Sequence, residues 1–220
     1  MSEPSGAAER ANQETALWSP VSVLAWTGER VGIALPPGWT ALRLTAPDLV
    51  QQVERLVAEH VPAQAAPTLR AELNQEWQRL ARVSAAAGAV LFGFGGAVDA
   101  DTDQVVTASV LLAPQHLYQA ADEGPVGPEH AMTLPAGPTV CRPRLGRAPT
   151  PVGDLVELGI EYVVTPPASP AWSLVFRTPA LHHVEELVVV FDAIAGTLRF
   201  SAAGDKDHSP QADPDGPAFS

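Results

Sequence analysis

Residues 172–200 read WSLVFRTPALHHVEELVVVFDAIAGTLRF, and the fold turns on them. Trp172, Leu174 and Phe176 alternate with Ser173, Val175 and Arg177, the period of two of a strand. Thr178-Pro179 stops it, because proline fixes its φ and has no N–H to give. The run 187–191 then has high β propensity. Yet Val184, Leu187, Val188, Phe191, Ile194, Ala195 and Leu198 recur at helical spacing. Glu185 and Glu186 fall in the first turn, where the helix dipole favours acids. A periodicity sustained over a long window outweighs a short propensity run, so the stretch predicts a strand followed by a terminal amphipathic helix.

Working outward, residues 152–165 alternate cleanly. Val156, Leu158, Ile160, Tyr162 and Val164 face one way and Glu157, Gly159 and Glu161 the other, which predicts a strand with one buried and one wet face. Residues 130–134 and 139–144 flank Pro135-Ala136-Gly137-Pro138, a hairpin turn. Residues 88–99 place Val90, Phe92 and Phe94 on one face and glycines on the other. Residues 104–113 place Val106, Ala108, Val110 and Leu112 together, and an acidic turn at 99–103 joins the two as a hairpin. Residues 115–127 read as irregular.

Upstream, two helices are predicted. The first covers 47–60, with Leu49, Val53, Leu56 and Val57 at helical spacing. The second covers 67–87, with Leu69, Leu73, Trp77, Leu80 and Ser84 in one stripe and Gly88 as its C-terminal cap. Before them come strands at 21–26 and 31–35 joined by a turn at 27–30, the punctuation Leu35-Pro36-Pro37-Gly38-Trp39, and a short strand at 40–45. Helices are not interleaved one-for-one with strands. The order predicts an α+β domain: a central antiparallel sheet flanked by helices, α/β/α sandwich-like, with a C-terminal amphipathic helix. It spans 17–201, between polar tails at 1–16 and 202–220 whose composition predicts disorder.

Composition narrows the function classes. The chain has 220 residues, 46% of them hydrophobic, and a formal net charge of −12. That charge argues against nucleic-acid backbones and anionic membrane surfaces. Cys141 is the only cysteine, which excludes an intramolecular disulfide and a cysteine-rich zinc site. No apolar run is long enough for a transmembrane helix, and the first residues lack a signal-peptide pattern, so the expected location is cytoplasmic.

Few residues carry chemistry. Arg142, Arg144 and Arg147, beside Cys141, form the only basic cluster and are the candidate interaction residues. Guanidiniums pair well with carboxylates and phosphates, so the cluster can dock an acidic partner or depress the thiol pKa. Its plainer reading is a solvated strand edge followed by a loop. His182 and Glu186 are four apart, but no third metal ligand is evident and the cluster reads as a helix start. Gly93-Phe94-Gly95-Gly96 lacks dinucleotide-loop spacing and reads as a bulge or close packing. Ser109, Ser173 and Ser201 have no nucleophile-elbow context. Glu157 and Glu161 lie about 13 Å apart by strand rise, too far for a glycosidase pair. Trp39, Trp77 and Trp172 read as core residues. No cofactor is implied.

Three of these patterns together resemble the PsbP/LpqN-like superfamily, which includes a Ran-binding nuclear import factor, and especially its actinobacterial branch. They are Leu35-Pro36-Pro37-Gly38-Trp39 leading into a strand, the helix pair before the hairpin, and residues 172–179 followed by Phe191-Asp192-Ala193-Ile194-Ala195 in the last helix. The resemblance implies a central antiparallel sheet flanked by helices. It also implies a binding or assembly role, since members share no catalytic motif that could be carried over. The expected function is a non-enzymatic cytoplasmic binding or assembly module with a protein partner. The alternatives are a small-molecule binder or enzyme with a pocket between sheet and helices, and a secretion-associated accessory factor or chaperone.

Overall fold

The computed structural model describes residues 18–24, 28–61, 64, 66–98, 105–118, 124–150 and 153–202. The expected disorder of 1–16 and of nearly all of 202–220, and the acidic turn at 99–103, lie outside the described residues. In chain order the elements are β1 (Ser19–Leu24), β2 (Glu29–Leu35), β3 (Trp39–Arg43), α1 (Leu49–His60), α2 (Pro67–Ala86), β4 (Leu91–Val98), β5 (Val105–Pro114), β6 (Gly124–Pro125), β7 (His130–Leu134), β8 (Gly137–Thr150), β9 (Gly153–Val164), β10 (Trp172–Thr178), α3 (Val184–Gly196) and β11 (Arg199–Ala202). This is the α+β class read from the sequence.

An eight-stranded sheet runs β3-β4-β5-β10-β9-β8-β6, with β7 also paired to β8, and a three-stranded sheet runs β1-β2-β11. Every pairing is antiparallel. Strand β10, late in the chain, is inserted between β5 and β9. Leu174 stands opposite Leu112 on one side and Tyr162 on the other.

The two faces of the large sheet bury different cores. On one, Leu112, Tyr162, Val164, Trp172, Leu174 and Phe176 pack under α3 and the small sheet, against Phe191, Ile194, Val31 and Leu35. Aromatic contacts organise this core: Phe176 stacks on Phe191 at 4.5 Å between ring centres and meets the edge of Tyr162 at 5.8 Å. On the other face, α1 and α2 cover β3, β4 and β5, burying Leu42, Val53, Leu56, Val57, Ala81 and Ala113. Phe92 and Phe94 join this second core beneath Trp77, whereas Val90, expected beside them, precedes the strand and packs in the first core.

Helix α2 touches the sheet along a narrower line than the expected leucine stripe. Ala81 is its only fully buried residue and Leu69 is exposed. Its end follows the predicted cap. Gly88 takes φ +85°, its N–H donates to the carbonyl of Ala85, and the Ala89 N–H reaches Ser84, the double bond pattern of a Schellman motif. In β4, Gly95 lies beneath Trp39, and a Cβ there would sit 2.4 Å from the indole. The glycine run is close packing.

The last helix forms as predicted, preceded by a 3-10 turn over Leu181–His183. It does not end the fold. The Thr197 hydroxyl donates to the Ile194 carbonyl at 2.6 Å and accepts from the Ala34 N–H at 2.9 Å, tying the helix end to β2. The chain then adds β11 to β2, with Phe200 opposite Val31 and its ring 5.6 Å from Trp172. Four residues hold too little periodicity to announce that strand. Leu198, read as the helix's last buried position, lies beyond it and is buried in the same core.

Phe191 is wholly buried and stacked, so Phe191→Ala is expected to destabilise the fold by about 3–5 kcal/mol. Urea denaturation checks this, and a loss near zero would contradict the stacking.

Candidate functional site

The three candidate arginines all lie within β8, a strand of 14 residues, so the cluster is not a strand edge running into a loop. Alternation divides them. Arg142 and Arg144 stand opposite Glu161 and Gly159, whereas Arg147 stands opposite Val156 and is exposed on the other face.

On their shared face Arg142 and Arg144 close on Glu161. Its Oε2 lies 3.5 Å from Arg144 Nη2 and 3.9 Å from Arg142 Nη1, and its Oε1 accepts from the Ser173 hydroxyl at 2.7 Å. Glu161 is only 4% exposed, so the expectation of a wet face on β9 is corrected. A carboxylate is held out of water at such a site only when cations and donors surround it. They come here from β8 and β10, neighbours a single strand cannot reveal. Arg142 Nε also stands 3.0 Å from Glu129 Oε1, without hydrogen-bond alignment. Along the same face Arg177 donates to the Tyr118 hydroxyl at 3.2 Å and lies 4.0 Å from Glu157. Arg142, Arg144 and Arg177 thus face Glu129, Glu157 and Glu161, an even balance of charge.

A second cluster sits under α3. The Tyr162 hydroxyl, on a wholly buried ring, donates to Asp192 Oδ1 at 2.6 Å. Burial, and then this bond, push the Tyr162 pKa far above the ordinary phenol value. Cys141 stands opposite Tyr162 in the ladder. Its thiol is pushed up, chiefly by burial and then by the Asp192 carboxylate. The arginine neighbours therefore do not make it a reactive thiolate. The sequence marked Tyr162 as core and Asp192 only as part of the Phe191–Ala195 pattern, since their meeting depends on where α3 lands.

A cleft of about 310 Å³ opens where β1, β3 and α1 meet. β1 and β3 are edge strands of different sheets. One buried side chain manages the β3 edge: Gln52 of α1 accepts from the Arg43 N–H at 2.9 Å and turns its amide toward the Arg43 carbonyl at 3.4 Å. The amide thereby stands in for a neighbouring strand. Asp48 accepts from the Gln52 amide at 2.8 Å through Oδ1, while its Oδ2 meets Arg55 at 3.3 Å and Arg43 at 3.9 Å.

The other singled-out groups do not converge. His182 and His183 lie in the 3-10 turn with rings 4.3 Å apart, not on the α3 face with Glu186. Among the described residues, no group of three His, Cys, Asp or Glu side chains is placed to hold a metal ion. Trp172 is wholly buried, and Trp77 and Trp39 are half-buried against the two cores. No described helix is long and apolar enough to cross a membrane. No family model matches the chain, and searches of curated proteins and of solved structures find no significant match.

Glu161→Gln leaves two half-buried guanidiniums facing a neutral amide, and is expected to cost about 1–3 kcal/mol; Arg147→Gln, on the exposed face, is expected to change stability by less than about 0.5 kcal/mol. Equal costs in urea melts would contradict the division of the cluster. Tyr162 favours its neutral form in the fold, so its pKa is raised above the unfolded value. The stability this contributes is full below about pH 10 and is lost as pH rises above that. Tyr162→Phe is expected to flatten the decline in unfolding free energy measured between about pH 9 and about pH 11.

Proposed function

We propose that the chain is a non-enzymatic binding or assembly module, acting in the cytoplasm on a protein partner, as its resemblance to the PsbP/LpqN-like superfamily implies. One observation carries the reading: the polar groups best suited to chemistry are consumed inside the fold, whereas strand edges of two sheets face a common cleft. Glu161 and Ser173 bond to each other and are buried, and Tyr162 is spent on Asp192. Between α1–α2 and the sheet Leu42, Val53, Leu56, Val57 and Ala113 are buried side by side, and a cavity of about 530 Å³ remains beside the end of α2, lined by Ala86, Ala87, Leu111 and Tyr118. Edges and clefts are where sheets recruit polypeptides.

Affinity capture with the full chain at mild salt, followed by hydrogen exchange on the recovered complex, is expected to find a specific partner that protects one contiguous surface. Recovery of no specific partner counts against the reading.

A further inference from the structure

The cleft between β1 and β3 presents backbone as well as side chains. In an antiparallel ladder alternate residues turn their N–H and C=O to opposite sides of the strand. Leu44 points its N–H toward the β4 side, donating to the Val90 carbonyl at 2.9 Å, and Arg43 points outward to Gln52. Ala41, two residues before Arg43, therefore also turns its N–H and C=O outward, into the cleft. Gln52 covers Arg43 and the Trp39 N–H is taken by the Pro36 carbonyl at 3.1 Å, which among the described residues leaves Ala41 as the open position of this edge. Across the cleft β1 carries Pro20, which an edge strand accommodates only with its nitrogen facing away from the ladder. Ser22 then turns its N–H and C=O the same way. The cleft so offers an N–H and a C=O from each wall.

Its charge is specific too. Arg43 and Arg55, with side chains 47% and 64% exposed, share Oδ2 of Asp48, and Arg55 Nε donates to the Gln51 carbonyl at 3.3 Å; among the described residues their other donors stay unengaged. Glu59 is the one acid among the lining residues. With Asp48 beside both guanidiniums, the acids match the arginines in number, so the cleft takes a carboxylate through the remaining arginine donors and not through excess charge.

We propose that this cleft accepts one extended, acidic segment of a partner protein, which adds to the β3 edge as a further strand. Its backbone pairs with Ala41 and its carboxylate meets Arg43 and Arg55. Gln52 marks where the added pairing stops. This rests on the binding-module reading and names its mode.

A random-peptide library selected against the full chain tests it. Enriched peptides are expected to lack proline at their centre, to carry aspartate or glutamate, and to slow exchange of the Ala41 amide by at least about tenfold. Ala41→Pro removes that N–H at an edge position where proline is tolerated, and is expected to weaken the selected peptides by about tenfold. N-methylation of the peptide nitrogen facing Ala41 makes the same test on the unaltered protein, with the same expected loss. Arg55→Glu is expected to abolish the preference for acidic peptides. Failure of the library to enrich any peptide overturns the proposal, as do peptides that leave Ala41 exchange unchanged or survive N-methylation. Concentration-dependent self-association that protects Ala41 overturns it in favour of a second copy. A partner captured on another surface would sink the strand-addition mode and leave the binding-module reading standing.

Discussion

Strand β10 is hydrogen-bonded on both edges, to β5 and β9, and buried on both faces. A strand so placed has no solvated side through which to relax, so each of its side chains has a partner imposed on it. Phe176 receives the ring of Phe191 and sets where α3 lies. Ser173, on the opposite face, supplies the hydroxyl that Glu161 needs. Thr178 closes the strand by donating to the Thr107 carbonyl at 2.8 Å and accepting from the Ala180 N–H at 3.0 Å, which starts the chain toward the helix. Both cores and the charged network are thus referred to one strand, which reaches its place only after most of the chain has been laid down.

Burial on both faces also explains where the polar chemistry went. A half-buried sheet can let its acids and arginines face water, where pairing matters little. Once β8, β9 and β10 lie side by side with Glu161 nearly inaccessible, its charge must be met locally, and Arg142, Arg144 and Ser173 meet it. Under α3, likewise, Tyr162 is bonded to Asp192, and burial raises the thiol pKa of Cys141. Polar groups committed in this way hold strands together. Among the described residues, β1 and β3 are left as edge strands of their sheets.

Much of the architecture was legible because it depends on local pattern. The period-two run of β9, the caps and breaks around α1 and α2, and the helical spacing of Val184, Leu187, Phe191 and Ile194 are all written within windows of a few turns. The candidate site was less legible. The basic run of β8 looked like one patch of three arginines, but the pleat sends Arg147 to the opposite face from Arg142 and Arg144. Glu161 looked solvated because alternation in one strand says which residues share a face and not what covers it.

By itself the sequence determined the α+β class, nearly all of the elements, and which residues within each share a face, since these follow from side-chain periodicity and from the backbone limits of proline and glycine. Only the tertiary structure decided that β10 lies between β5 and β9, that Arg199–Ala202 returns to β2, and that Gln52 of α1 covers the β3 edge at Arg43. These are pairings between residues far apart in the chain or on different elements. Their free energy comes from shared burial and completed hydrogen bonds, and no single segment carries that information.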